Sequence, residues 1–298
     1  MRVTFQSQFR DGTAALQTAS DQLFEAQRQV STGRRINKVS DDPTGTASAI
    51  AERNGIAATE QYVRAADSVG SRLAVVDTVL SDIVDKLSRV QTAALSGQGT
   101  NKTTVQRDGA VQELRGLRAA LLDDMNTSFH GTYVFSGASA TTPPYTQAGS
   151  GVVNAYAGST TESAVDVGDG RSVTVAFDGS VIAKGSAATH IFDVMDALIT
   201  AVSTGDDAGI TTGIAGVKEA FTRATTAQIR LGNDLDQVGE QKTRLQQMVL
   251  AGTERLSHIE DADMSAAITN MSKADTAYKA AIGAVSSITR TSLMDYLK

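Results

Sequence analysis

The stretch Arg34-Arg35-Ile36-Asn37-Lys38-Val39-Ser40-Asp41-Asp42-Pro43-Thr44-Gly45 decides how this chain folds. It lies between two long helix-patterned runs and holds one of only three prolines in 298 residues. Upstream, Phe5, Phe9, Gly12, Leu16, Ala19, Leu23, Ala26 and Val30 recur in alternating steps of four and three, which is a heptad seam. Gly33 then weakens the helix, and Ser40, Asp41 and Asp42 can satisfy freed backbone donors. Pro43 disfavours helix at Asp42 but suits the first turn of a new one. The segment therefore reads as a break followed by a capped restart.

Downstream, a second seam runs Tyr62, Ala66, Val69, Leu73, Val76, Leu80, Ile83, Leu87, Val90, Ala94, with no polar exception. Ser96 to Asn101 is a turn. A third helix carries Val111, Leu114, Leu117, Leu121 and Met125 on one face. From about Gly131 to Gly185 the chain is rich in Gly, Ser and Thr and carries the tandem Pro143-Pro144. Here Val173, Val175 and Phe177 alternate with Thr174 and Ala176, a strand pattern ending in a turn. The runs 151–158 and 162–170 read as further short strands. After Thr189 helix returns, with a long seam from Ile210 through Leu231, Leu245 and Leu256 to Ile259, where Gly232-Asn233 could interrupt it.

That register then fails. Continuing it would bury Asp263, Asn270 and Lys273. The apolar set resumes one place later, at Met264, Ile268, Met271, Tyr278, Ile282, Val285 and Leu293. The slip falls at Ile259 to Met264, around Glu260, Asp261 and Asp263, and means that the helix breaks or turns to another partner.

The chain thus has a mirror organisation, each outer segment set off from an inner helix by an acidic break. The expected fold is mainly α, a long antiparallel helical bundle or coiled coil with its N- and C-termini paired and a small β-rich inserted domain. Its parts are a terminal coiled-coil domain, 1–42 with 264–298; a helical bundle, 43–130 with 189–263; and the insertion, 131–188, capping the far end. A pair of helices this short is marginal in water. The terminal pair is accordingly expected to order by packing on neighbouring copies, and head-to-tail joining gives rings or helical tubes. On this reading Phe5, Phe9, Leu16, Leu23, Val30, Met264, Ile268, Met271, Tyr278, Ile282, Val285 and Leu293 form an assembly seam. Arg34, Arg35, Asp41, Asp42, Pro43, Glu260, Asp261 and Asp263 mark and cap the breaks.

Composition excludes several roles. Net charge is −6 with no basic stripe, which argues against nucleic acid. No apolar run approaches the ~20 residues of a membrane span. The start, MRVTFQSQFRDG, has no signal-type apolar core, and zero cysteines rules out disulfides and thiolate metal sites. His258, Glu260, Asp261 and Asp263 scatter around a helix instead of converging on a metal, so capping and solvating the break is the favoured reading. Asp41-Asp42 reads as a cap in the same way. No catalytic, cofactor or metal site is expected. Arg34 and Arg35 either meet acidic groups across a subunit boundary or are simply solvated.

The segments STGRRINKVSDDPTG and RLSHIEDADMSAAITNMSKADTAY resemble the paired terminal signatures of the bacterial flagellin superfamily, in the expected order at the two ends. The start MRVTFQSQF, the run FHGTYVFSGASATTPPY and the end SSITRTSLMDYLK resemble the superfamily's hook–filament junction branch more than flagellin itself. The resemblance implies a structural subunit exported without signal cleavage through the flagellar type III route. It implies as partners a hook-side junction protein, flagellin and an export chaperone on the C-terminal segment. A short flagellin that forms the filament is the alternative. A cytoplasmic signalling hairpin is disfavoured by the β insertion, and an enzyme by the lack of a catalytic constellation.

Overall fold

The structure is a computed structural model. It describes residues 5–296 except 150 and 169, and the side chains of 7–287 apart from those two. The seam side chains expected at Phe5 and Leu293 lie outside the described residues. The fold is mainly α. Its helices are α1 (Phe5–Thr32), α2 (Pro43–Gly97), α3 (Thr104–Met125), α4 (Gly179–Ala183), α5 (Ile191–Thr204), α6 (Asp207–Glu260) and α7 (Met264–Tyr296). Among the described residues the short strands are β1 (Ser128–Phe129), β2 (Thr132–Tyr133), β3 (Ser163–Gly168) and β4 (Arg171–Ala176). The chain divides into two compact units, one of 1–58 with 247–298 and one of 59–246, so α2 and α6 each contribute to both.

In the larger unit the sequence seams are the core. Val69, Leu73, Val76, Leu80, Ile83, Leu87, Val90 and Ala94 of α2 are buried, as are Val111, Leu114, Leu117, Leu121 and Met125 of α3. From α6 come Ile210, Val217, Ala224, Leu231 and Val238, and from α5 Phe192, Met195, Leu198 and Val202. Small residues set the helix spacing. A side chain at Gly213 would lie 2.8 Å from Leu198, and one at Gly97 2.6 Å from Val202. The α3 start carries a reciprocal cap, Gln106 N–H to Thr103 Oγ1 at 3.3 Å and Thr103 N–H to Gln106 Oε1 at 3.0 Å. α6 runs through Gly232-Asn233 without a break. Tertiary packing of its apolar face outweighs the low helix propensity of those two residues.

The insertion departs from expectation in two ways. First, β1 pairs with β2 and β3 with β4, both antiparallel, but residues 151–158 form no strand beyond one bridge, Gln147 to Val153. Their backbone instead bonds irregularly to the segment after the tandem proline: Ala157 N–H to Pro144 O and Asn154 N–H to Thr146 O. Prolines donate nothing to a ladder, so regular pairing fails there. Second, the insertion does not cap the far end of the bundle. α3 is much shorter than α2 and ends partway back along it, and the insertion begins there. Arg72, in the middle of α2, donates to the Val175 carbonyl, to Thr132 Oγ1 at 2.7 Å and to the Tyr133 carbonyl at 3.4 Å. Arg223 of α6 donates to the Ile182 carbonyl at 3.1 Å, and Arg118 of α3 to that of Gly151 at 2.9 Å. The tip of the bundle is made by the loops themselves, where Gly99 N–H meets Asp207 Oδ1 at 2.9 Å.

In the smaller unit α1 packs antiparallel on α7. Its most buried side chains are alanines, Ala19 and Ala26 of α1 and Ala267 of α7. Leu16, Leu23, Val30, Met271, Tyr278 and Val285 are half-buried beside them.

Candidate functional site: the paired helix breaks and the terminal helix pair

The two acidic breaks meet. The chain leaves α1 through Gly33, whose φ of +69° suits a residue without a side chain. Arg34 then forms an antiparallel bridge with Asp261. Gly33 O accepts from Ala262 N–H at 2.9 Å, while Glu260 O accepts from Arg35 N–H at 2.6 Å. Backbone groups freed where one helix stops are thus satisfied by those freed where the other stops.

Side chains reinforce the link. Glu260 is only 4% exposed, although it is charged. Its Oε2 lies 2.6 Å from the Arg53 guanidinium and 3.7 Å from that of Arg34. Arg35 reaches the Ile259 carbonyl at 2.9 Å and Asp42 Oδ2 at 3.1 Å. Both arginines therefore find their acidic or carbonyl partners within their own chain. Ile36 and Ala49 form a small apolar floor beneath these charges. One turn along, Arg255 of α6 makes a two-pronged contact with Glu52 of α2 at 3.1 and 3.2 Å.

Each acidic residue of the breaks has a distinct task. Asp42 Oδ1 accepts from Gly45 N–H at 2.8 Å, capping α2 behind Pro43. Asp41 Oδ2 accepts from Asn37 N–H at 3.1 Å and Lys38 N–H at 2.8 Å, fixing the turn before it. These bonds hold both carboxyls below their ordinary range. For Asp42 the largest cause is the Gly45 N–H and the next is Arg35; for Asp41 it is the Lys38 N–H. Asp263 caps α7 by accepting from Ser265 and Ala266 N–H at 2.9 and 3.2 Å. Asp261 takes the Ser257 hydroxyl. Among the described residues no three His, Asp or Glu side chains gather in a way that could hold a metal ion.

The seam residues divide by exposure. Met264, Ile268 and Ile282 are 42%, 51% and 44% exposed in the single chain, and Phe9 is 40% exposed. Phe24, which the heptad spacing passes over, is 64% exposed. The strip of α7 that faces α1 starts instead at Ala267 and continues through Met271, Ala274, Tyr278, Ala281 and Val285. The terminal pair therefore has an inner face rich in alanine and an outer face bearing larger apolar side chains. Arg53 and Glu52 complete the paired breaks but gave no sequence signal of their own, because their partners Glu260 and Arg255 lie 207 and 203 residues away in the chain.

Comparison with known proteins places these features. The bacterial flagellin N-terminal helical region matches residues 11–140, and the C-terminal helical region matches residues 214–297. The flagellar hook-associated protein 3 of Escherichia coli (strain K12) is 23% identical over the full length of both chains. Among solved structures, a flagellar hook-associated protein from Vibrio parahaemolyticus superposes with a TM-score of 0.70 at 18% identity, covering 74% of this chain and all of that one. The flagellar junction protein of Legionella pneumophila gives 0.57 at 16% identity, covering 72% and 99%. Both matched regions include one of the paired breaks.

Proposed function

The chain belongs to the bacterial flagellin family, and on that premise we propose that it is a structural subunit of the flagellum joining the hook region to the filament. The observation that carries this reading is the match to a flagellar hook-associated protein 3 that covers all of both sequences. Its work is mechanical. Copies assemble into a ring or helical tube through their terminal helices, with a hook-side junction protein on one side and flagellin on the other. The chain reaches that place by export without signal cleavage, helped by a chaperone on the C-terminal segment. It carries out no catalysis and needs no cofactor.

The terminal pair supports this reading energetically. Its inner face buries chiefly alanines, each of which removes little apolar area from water. The larger side chains, Phe9, Phe24, Met264, Ile268 and Ile282, stay exposed. A surface of this kind marks a protein–protein contact. We therefore read the pair as marginal in the free chain and completed by lateral packing on neighbours.

Deleting the gene in its native bacterium tests the assignment. The expected result is intact hooks without attached filaments and flagellin shed into the medium. Normal filaments in the deletion strain would overturn it. Long filaments grown from the purified chain alone would favour a filament-forming flagellin instead.

A further inference from the structure

We propose that Glu260 is the catch of a two-ended latch, through which the C-terminal end of α1 and the N-terminal end of α7 order together and not separately. The inference concerns the single chain and does not depend on what the chain joins. It rests on how completely each break relies on the other. Without 259–262, the N–H groups of Arg35 and Ile36 lose their shared acceptor, the Glu260 carbonyl. The Gly33 carbonyl loses Ala262 N–H, and the Arg35 guanidinium loses the Ile259 carbonyl. Without 33–36, the Ala262 N–H and the Glu260 carbonyl are orphaned in turn. Unpaired backbone groups of this kind are costly wherever water is excluded.

Glu260 is the natural catch because it engages the first break and α2 at once. Its carbonyl holds the first break, its carboxylate holds Arg53 of α2, and the same oxygen draws Arg34. The carboxylate is buried while its two arginines are about half-exposed, at 48% and 51%. The pair is therefore screened on the arginine side but not on the glutamate side. Neutralising the glutamate removes the charge both cations share and leaves the backbone bonds and the Arg35 contact to the Ile259 carbonyl to hold the breaks. The nearby carboxylates cannot substitute: Asp42 is bound to Arg35 and the Gly45 N–H, and Asp261 to the Ser257 hydroxyl.

Amide hydrogen exchange on the full chain, comparing wild type with Glu260→Gln and, separately, with Arg53→Met, tests this. Glu260→Gln should speed exchange at Arg35 and at Ala262 by the same factor, roughly tenfold or more. The last turn of α1 and the first turn of α7 should follow. Amides of Leu73 to Leu87 in the larger unit should be unchanged, which shows that the chain still folds. Arg53→Met should give the same paired pattern with a smaller factor, because Arg34 remains. Acceleration at Ala262 with Arg35 unchanged, or the reverse, would overturn the proposal. So would no change at either.

Discussion

The Oε2 oxygen of Glu260 lies 2.6 Å from the guanidinium of Arg53, which joins the last turn of α6 to the second turn-pair of α2 across 207 positions of sequence. The carboxylate is almost completely buried and the arginine half-exposed. Arg53→Ala should therefore cost about 1–3 kcal/mol, since it strips a buried carboxylate of its closest partner while Arg34 stays at 3.7 Å. Thermal unfolding of the smaller unit reads this. Arg53→Lys should recover only part of the loss, because an ammonium lacks the fork of the guanidinium.

Gly45 predicts a second effect at the same break. A side chain there would lie 2.4 Å from Asp42 Oδ2 and 2.7 Å from Ile36 Cδ1. Gly45→Ala should displace the cap from its apolar floor and destabilise the unit by about 1–3 kcal/mol. At Gly33 nothing crowds the site, and only the backbone at φ +69° resists substitution. Gly33→Ala should cost about 1 kcal/mol and Gly33→Asn less, a difference that denaturant titration can resolve.

Acid should loosen the breaks before it affects the larger unit's core. Asp41 is held below the ordinary aspartate value of 3.8 chiefly by the Lys38 N–H, and Asp42 by the Gly45 N–H and then by Arg35. A carboxyl with a depressed value in the folded state binds fewer protons there than when unfolded. Its contribution is fully present above 3.8 and is lost as pH falls through the depressed value. Proton exchange at Gly45 and Lys38 N–H, followed from neutrality down to strong acid, should show protection failing only below that ordinary value. Asp42→Asn should remove most of this dependence at Gly45.

Arg72 predicts the behaviour of the insertion. It supplies three donors to the Val175 carbonyl, Thr132 Oγ1 and the Tyr133 carbonyl, tying both hairpins to α2. Arg72→Ala leaves those acceptors without their partner and should cost about 1–3 kcal/mol, with exchange rising in β3 and β4 while α2 itself stays protected.

Much of this architecture was legible in the sequence because heptad periodicity reports buried helix faces directly. The strips of α2 and α3 match their seams residue for residue from Val69 to Ala94 and from Val111 to Met125, and every second seam position of α6 is buried from Ile210 to Val238. The α7 strip was harder to read. Ile268 and Ile282 outrank Ala267 and Ala281 on any apolar scale, so the pattern follows the exposed edge, while the alanines permit the close approach to α1. Residues 151–158 look like a strand by composition, but the effect of Pro143-Pro144 on their pairing is a tertiary fact. The acidic breaks were visible as signals to stop and restart. That each completes the other was not, since Gly33 and Ala262 bond across 229 positions and no local pattern records it.

The double substitution Phe24→Ser with Ile268→Ser tests the account most directly. Both side chains are more than half exposed in the single chain, so the purified variant should keep its thermal stability to within about 0.5 kcal/mol. Returned to a deletion strain, it should fail to enter the flagellum, leaving hooks bare of filaments. A variant that folds as wild type and still attaches filaments normally would contradict the claim that the outer face of the terminal pair is what packs copies together.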